Sequence, residues 1–485
     1  MYKIHVPSLP TLDTFETFNQ SCGCNLDSNH ELVALMDMIP WREFEPEYAK
    51  NFSNATRGKG ARPLQMALGS LILQVRSGLS DRAFIKALKE NPYWQYFIGM
   101  KKFDKKVPFG ATSLVYFRKR LSFGLINSIN ETLLKMLEKD KNISTKKNNM
   151  CKNNEDNIGT SILDATCAPS YIAYPKDTSL LNQCKTKLEK IIDYLYEQSS
   201  LRKKPRTYRR IMHKEYLSFA KKKKVTTEQV RDMQKKLLSC VKRDLKYVDS
   251  LLAMGLNMTK SQTDYYERIL LIYAQQKEMY ENRSRRVDDR IVSLDQPYLR
   301  PIVRGKSGTP VEFGAKLDVS LDENGHARIE FASFDPYNES EVLIATLERY
   351  KERNGHYPER ILVDQIYRNR KNIDFCNEKG IRISGPKLGR PSKLDKEKNK
   401  ENIQIEKQDK KDRIAIERLF SKAKRCCGMA VIRTRLADTT LTTIAMSVFI
   451  TNLFAVPIGN FFVFYFTDSG IFDLEPITFA EFYDS

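Results

Sequence analysis

The chain has 485 residues, of which 41% are hydrophobic and 29% charged, a balance that excludes a disordered polypeptide and leaves room for roughly two to four domains. Its formal net charge of +21 points to a polyanionic partner, a nucleic acid ahead of an anionic membrane surface. Nine cysteines include no Cys-x-x-Cys pair, which removes the common zinc ribbons and fingers and leaves the reduced thiols of a cytoplasmic protein. The start, Met1 to Pro7, lacks the apolar core of a signal peptide.

Residues 1–138 are expected to form an all-α domain. Leu64, Leu68, Leu71, Ile72 and Val75 recur at helical spacing until Gly78 interrupts. Ser80 then offers an N-cap to a helix carrying Phe84, Ile85 and Leu88, which Asn91-Pro92 stops. This pair fits a helix-turn-helix and equally fits a small helical bundle. Thr112-Ser113 begins a further helix with Phe117, Leu121 and the cations Arg118, Lys119 and Arg120. Residues 139–159, rich in Asn and Lys, read as a linker.

A strand from Ser161 to Thr166 follows, opening a first core segment over residues 160–184. Residues 185–289 are a charged helical insertion with basic clusters at Lys203 to Arg210 and Lys221 to Lys224, which serve either a phosphate backbone or solvent. Strand character returns in Glu312 to Val319 and Ala327 to Phe331; a helix over residues 339–354 precedes a strand over 360–364, and another helix spans 372–380. The rest of the core, residues 290–470, contains a second charged linker at 386–411, and residues 471–485 form a tail. The apolar stretch 444–466 is too interrupted, by Pro457 and Gly459 among others, to span a membrane. It reads as a buried helix ending near Pro457, then a short strand at 461–466. Strand, helical insert, strands, helix, strand, helix is the order of an interrupted α/β domain, and an RNase H-like core suits it.

Three acids stand where such a core would want metal ligands. Asp164 closes the apolar run Ser161-Ile162-Leu163, Asp364 closes Ile361-Leu362-Val363, and Glu417 lies on a basic amphipathic helix. A carboxylate ending a buried strand is costly unless a positive charge meets it. On the helix, Arg413 and Lys424 lie about 40° and 20° from Glu417, while Ile416, Leu419, Phe420 and Ala423 gather on the adjacent face. Two Mg²⁺ ions held by three carboxylates, with Mn²⁺ as a substitute, would suit phosphodiester chemistry. Asp318 and Asp335 are weaker candidates, since strand-end turns use Asp freely.

Arg413, Glu417 and Lys424 at Arg-x3-Glu-x6-Lys spacing resemble the signature helix of the DDE transposases of bacterial insertion sequences. Further segments are similar to one branch of that group: Leu163-Asp164-Ala165-Thr166, Tyr174-Pro175-Lys176-Asp177, Arg300 to Lys306, Ser333 to Ser340, Val363-Asp364-Gln365-Ile366-Tyr367 and Gly385 to Pro391. Leu79 to Arg82 and Asn91 to Phe97 resemble its DNA-binding domain. The pattern departs where a Tyr often stands three residues before the Arg; here it is Lys410. The resemblance implies a metal-dependent transposase whose catalytic and metal-binding triad is Asp164, Asp364 and Glu417. Expected DNA contacts are Arg413, Lys424, Arg425, Arg304, Lys306, Arg82 and Arg118. Expected partners are double-stranded DNA, at element ends and target, and a second copy of the chain, with no membrane and no small-molecule substrate; the place is the bacterial cytoplasm at the nucleoid. A nuclease of the same core without strand transfer, or a non-catalytic DNA-binding descendant, are the alternatives.

Overall fold

The computed structural model describes residues 12–23, 25–52, 60–145, 157–303, 311–386 and 396–455. Its N-terminal region consists of helices α1 (Leu12–Cys22), α2 (Glu31–Met38), α3 (Trp41–Ala49), α4 (Leu64–Ser77), α5 (Asp81–Glu90), α6 (Pro92–Phe97), α7 (Ala111–Arg120) and α8 (Phe123–Thr145). α4 stops at Gly78, whose φ of +65° suits a residue without a Cβ. The Ser80 hydroxyl then accepts from the Ala83 N–H at 3.3 Å and caps α5, as its position suggests. Asn91 ends α5 and also caps α6 by accepting from the Trp94 N–H at 3.0 Å, with Pro92 in the first helical position. α8 runs on to Thr145, so the expected linker after residue 138 is at first helical.

The sheet begins with β1 (Thr160–Pro169). Four helices follow, α9 (Asp177–Glu197), α10 (Arg209–Ala220), α11 (Thr227–Ala253) and α12 (Lys260–Glu281), so the helical region reaches into the expected insertion over 185–289 but starts earlier, at Asp177, within the segment 160–184 expected as core. It buries its own core, including Leu188, Ile192, Leu237, Val241 and Ile269. Capping boxes, Thr226 with Gln229 and Thr259 with Gln262, start its two later helices.

The chain then adds β2 (Pro301–Val303), β3 (Val311–Asp322), β4 (Ala327–Ser333), α13 (Val342–Asn354), β5 (Arg360–Leu362), α14 (Arg370–Glu378) and β6 (Arg382–Ile383). In space the strands run β4-β3-β1-β5-β6, with β2 also on β3. β3 is antiparallel to β1 and to β4, whereas β5 is parallel to β1 and β6 to β5. β1 is therefore central. On one face Leu163, Ile361 and Val363 pack with Leu343 and Leu347 of α13 and Cys376 of α14. On the other, Ile162, Leu317, Val319, Leu321 and Leu362 pack under two last helices, α15 (Lys396–Cys426) and α16 (Ala437–Leu453).

The charged segment expected as a linker over 386–411 is corrected by α15, a single 31-residue helix that starts at Lys396. Its Lys, Glu and Gln residues are good helix formers, and no Gly or Pro interrupts them. Asp409, nearly buried, accepts from Arg360 and Arg382 on β5 and β6 and so pins this early part of the helix to the sheet. α16 is buried almost all round and serves two cores at once. Met446, Phe449, Ile450 and Leu453 join the N-terminal helices, and Ile444 and Val448 join the sheet. No described helix is long and apolar enough to cross a membrane. The strand expected at 461–466 lies outside the described residues.

A polar seam fastens α8 and α16 to the sheet edge. The Asn452 amide donates to the Asn130 side chain and the Ala327 carbonyl, each at 2.7 Å, and accepts from the Ala327 N–H at 2.8 Å. Beside it, buried Arg328 pairs with Asp322 at 2.8 Å, Glu138 at 3.1 Å and Glu131 at 3.2 Å. His326 completes the group, its Nδ1 3.3 Å from Asp322 and 3.7 Å from Glu138. Burial works against a charged His326, but the two carboxylates outweigh it and raise its pKa above the usual 6.5. A raised folded value means that the protonated ring stabilises the fold fully below about pH 6.5 and that this contribution fades as pH rises through the folded pKa. His326→Gln is expected to flatten the fall in melting temperature just above neutral pH, as calorimetry across a pH series would measure; an unchanged profile would remove this histidine from the stability balance.

Candidate active site

The ladder between β1 and β5 pairs Ser161 with Ile361 and Ile162 with Leu362. Two residues further along each strand direction come Asp164 and Asp364. Because side chains alternate with a period of two, both follow the face of Ile162 and Leu362, the face covered by α15. Asp364 lies just past the end of β5 and accepts from the Gln365 N–H at 2.8 Å, which caps a short 3₁₀ turn over Gln365–Tyr367. Ile416 and Ala423 anchor α15 to the sheet, with Leu419 and Phe420 partly buried against it, the apolar face that helical spacing foretells. That docking brings Glu417 and Arg413 over the strand ends.

Arg413 is the hub. Its guanidinium stands 4.0 Å from Asp364 and 3.9 Å from Glu417. Its positive field also acts on Asp164. Three acids spread over the chain thus surround one cation. The three differ in setting: the Asp364 and Glu417 side chains are 56% and 58% exposed, whereas Asp164 is only partly accessible. Burial pushes the Asp164 carboxyl up to about 6; the bond from the Ala165 N–H at 2.8 Å and the Arg413 charge oppose this, while Glu339 and Asp364 add to it.

These residues fit a divalent cation. Asp164 is a desolvated carboxylate with no described cation within ion-pair distance, and three carboxylates against one Arg leave negative charge in excess. The Arg413 contacts are at the outer limit for an ion pair and reach exposed partners, so each is worth about 1 kcal/mol or less and yields easily. The triad oxygens are nevertheless wider apart than shared ligands. Among the described residues the only His, Cys, Asp or Glu group with ligand atoms within 4.8 Å of one another is Glu138, Asp322 and His326. There the Arg328 guanidinium already occupies the cationic place between the acids. That group is a structural ion network.

Beneath the triad, on the opposite face, lies a support that the sequence reading missed. Asp318 of β3 sits across from Ala165, the residue after Asp164, and is fully buried. The hydroxyls of Tyr337 and Tyr367 donate to its two oxygens. Tyr367 is three residues beyond Asp364, so its bond ties the Asp364 turn to the middle of the sheet. Lys316, on the same face, donates to the Tyr337 carbonyl at 2.9 Å and pairs with Glu339 at 2.8 Å. An Asp inside an apolar strand was the available signal, but nothing local names two tyrosines as its partners. Asp335 is exposed and lies 3.6 Å from Arg300, away from any acid cluster.

The expected DNA contacts divide. Lys424 and Arg425 occupy the last turn of α15, and Arg82 is exposed on α5. Arg118 is corrected: it is 5% exposed and donates to both oxygens of Asp81, at 2.9 and 2.6 Å, and to Gln74 at 3.2 Å. Its charge is spent tying α7 to the α4–α5 turn. Arg304 and Lys306 lie outside the described residues, as does most of the segment Gly385 to Pro391. In the insertion, Lys204 and Arg209 both pair with Asp193 and hold its pKa below the usual carboxylate range, so part of that basic cluster is engaged internally.

Comparison with known proteins agrees with the resemblance. A transposase DDE domain family matches residues 361–454, which span Asp364, Arg413 and Glu417 but not Asp164. A second transposase domain family, DUF772, matches residues 20–120 in the N-terminal helices. The uncharacterized protein ORF8 in the nfe locus of Rhizobium meliloti is 25% identical over 174 residues, covering 36% of this chain and 78% of that protein. No solved structure matches. Residues 20–120 and 361–454 of the chain thus each match a transposase domain family.

The raised Asp164 pKa sets a stability test. Below 3.8 the group is neutral folded or unfolded; between 3.8 and about 6 the unfolded chain ionises first, so the fold loses stability as pH rises. The shift corresponds to about 3 kcal/mol. In metal-free buffer near about pH 8, Asp164→Asn should be more stable than the parent by up to that amount, the gain shrinking toward about pH 4. Urea unfolding measures it, and a destabilised Asn variant at the higher pH would contradict the burial argument.

Proposed function

We propose that this chain is an insertion-sequence DDE transposase, which cuts double-stranded DNA at the ends of such an element and joins the freed 3′-hydroxyls to target DNA. The observation that carries this reading is the gathering of Asp164, Asp364 and Glu417 around Arg413 on one side of a central pair of parallel strands. An RNase H-like core is supported by the strand order, with the first strand in the middle, and by the helix bearing Glu417 that lies across its face.

Asp164, Asp364 and Glu417 would hold the divalent ions, Mg²⁺ with Mn²⁺ as substitute, which when bound neutralise charge on the phosphate in an in-line displacement. The chain's own residues do the rest. Asp164 is ionised above about pH 6 and so is available as a ligand near neutrality. Arg413 balances the acids when no substrate is present and turns toward a phosphate when they are otherwise engaged. Lys424 and Arg425 extend the positive surface along the helix, Arg82 contributes from α5, and Arg304 and Lys306 are further DNA contacts in this reading. In the first reaction water adds to phosphorus as the P–O3′ bond breaks, leaving a 3′-hydroxyl. In the second that hydroxyl attacks a target phosphodiester and displaces its 3′-oxygen. Two element ends require two such sites, hence at least a homodimer on DNA, working at the bacterial nucleoid.

The test is cleavage and joining of DNA carrying the repeats that flank the gene, with Mg²⁺ or Mn²⁺. Asp164→Asn, Asp364→Asn and Glu417→Gln are each expected to lower cleavage by at least about a thousandfold while leaving DNA binding within about twofold. Cleavage without joining would reduce the function to that of a nuclease, and a parent chain that binds without cutting would make it a binding protein.

A further inference from the structure

The loop that follows α15 is stitched to the far end of β1. Ile432 donates to the Pro169 carbonyl and Tyr171 donates to the Ile432 carbonyl, both at 2.8 Å, and Ser170 bridges Ile432 in parallel. This places Arg433 and Arg435 beside the segment Tyr171 to Lys176. A cleft of about 700 Å³ opens on the other side of the loop, between it, the α4–α5 turn, α7 and the start of α16. Four arginines line it, Arg82, Arg118, Arg433 and Arg435, against a single carboxylate, Asp81, which Arg118 already neutralises. Arg435 also lines a smaller, polar recess of about 170 Å³ walled by Tyr171, Tyr174 and Lys176. Arg435 is the one residue that lines both hollows, which therefore lie side by side.

The surface of this track has two characters. Arg82, Arg433, Arg435 and Lys176 are exposed and form no ion pair with a described residue. Tyr171 and Tyr174 are 70% and 69% exposed, and Tyr174 is steadied by an edge contact with Phe313 at 5.7 Å. Unpaired cations beside outward aromatic rings are what single-stranded nucleic acid requires: charge for the phosphates and flat faces for bases. Within a duplex the base faces are stacked on one another and only the terminal pair offers one, so outward tyrosines suit unpaired nucleotides best. The six residue steps from Asp164 to Ser170, just past the end of β1, cover about 20 Å, or about six base-pair steps of DNA. A strand end resting on the tyrosines thus lies within one short footprint of the triad.

We infer that this track is a nucleic-acid subsite in which Arg82, Arg433 and Arg435 hold phosphates and Tyr171 and Tyr174 stack on unpaired bases of a DNA end. The inference rests on the transposase reading for the presence of DNA, but its test needs no catalysis. Full-length protein is titrated in EDTA, by fluorescence anisotropy, with a blunt duplex and with the same duplex bearing a short single-stranded overhang. The parent binds the overhang probe more tightly. Arg433→Ala with Arg435→Ala weakens both probes about tenfold or more and lowers the slope of log affinity against log salt by about 2. Tyr171→Ala with Tyr174→Ala weakens the overhang probe about tenfold and leaves the blunt probe unchanged, whereas the paired Phe variants retain the preference. Parent-like binding by either Ala pair, or a tyrosine effect equal on both probes, overturns the inference. A parent chain that binds neither probe overturns the functional reading itself.

Discussion

The parallel pairing of β1 with β5 is the constraint on which the rest of the site depends. Thr160 and Arg360, 200 residues apart, are brought side by side, and the Arg360 guanidinium donates to the Thr160 hydroxyl at 2.8 Å. A slip of one residue would turn Asp364 to the other face, toward α13 and α14 and away from Glu417. The register is held from both sides. Apolar side chains alternate between two cores, and Arg360 and Arg382 reach up to Asp409 on α15. Strand register and helix docking are therefore parts of one arrangement.

Within that frame the protein accepts an unfavourable charge. Asp164 is held where water is scarce and carboxylates are near, and only one backbone N–H and a looser Arg413 compensate. A stability-driven sequence would place an amide or a methyl group there. The sheet beneath is correspondingly stiffened: Asp318, fully buried, has each oxygen met by a tyrosine hydroxyl, and Lys316 ties the next loop to the same strand. Loose polar contacts lie above the central strand and tight ones below it. That is the pattern expected when the upper face must reorganise around a substrate and the lower face must not.

The N-terminal helices are part of the same body. α16 contributes side chains both to their core and to that of the sheet, and Asn452 satisfies the backbone of Ala327 at the edge strand while touching Asn130 of α8. Both transposase segments thus meet across one buried helix. The cleft between the α4–α5 turn and the loop after α15 is a product of this junction and of neither part alone.

By itself the sequence determined the local features: where strands alternate, where Ser80 and Asn91 cap helices, which face of the Glu417 helix is apolar, and that acids end two buried runs. Each is set by residues within a few positions of one another, whose spacing or hydrogen bonding is complete in the segment. The tertiary structure decided what depended on distant partners. Arg118 reads as a free cation on its own helix, but Asp81, 37 residues away, claims it. Lys396 to Lys411 reads as a solvated linker, since a helix charged on every side has no periodicity to reveal it, until Asp409 finds two arginines on the sheet. Asp318 could not name its tyrosines, nor Arg435 its cleft. A charged or polar side chain takes its role from whatever lies within a few ångströms, and that neighbourhood exists only once the strands have paired.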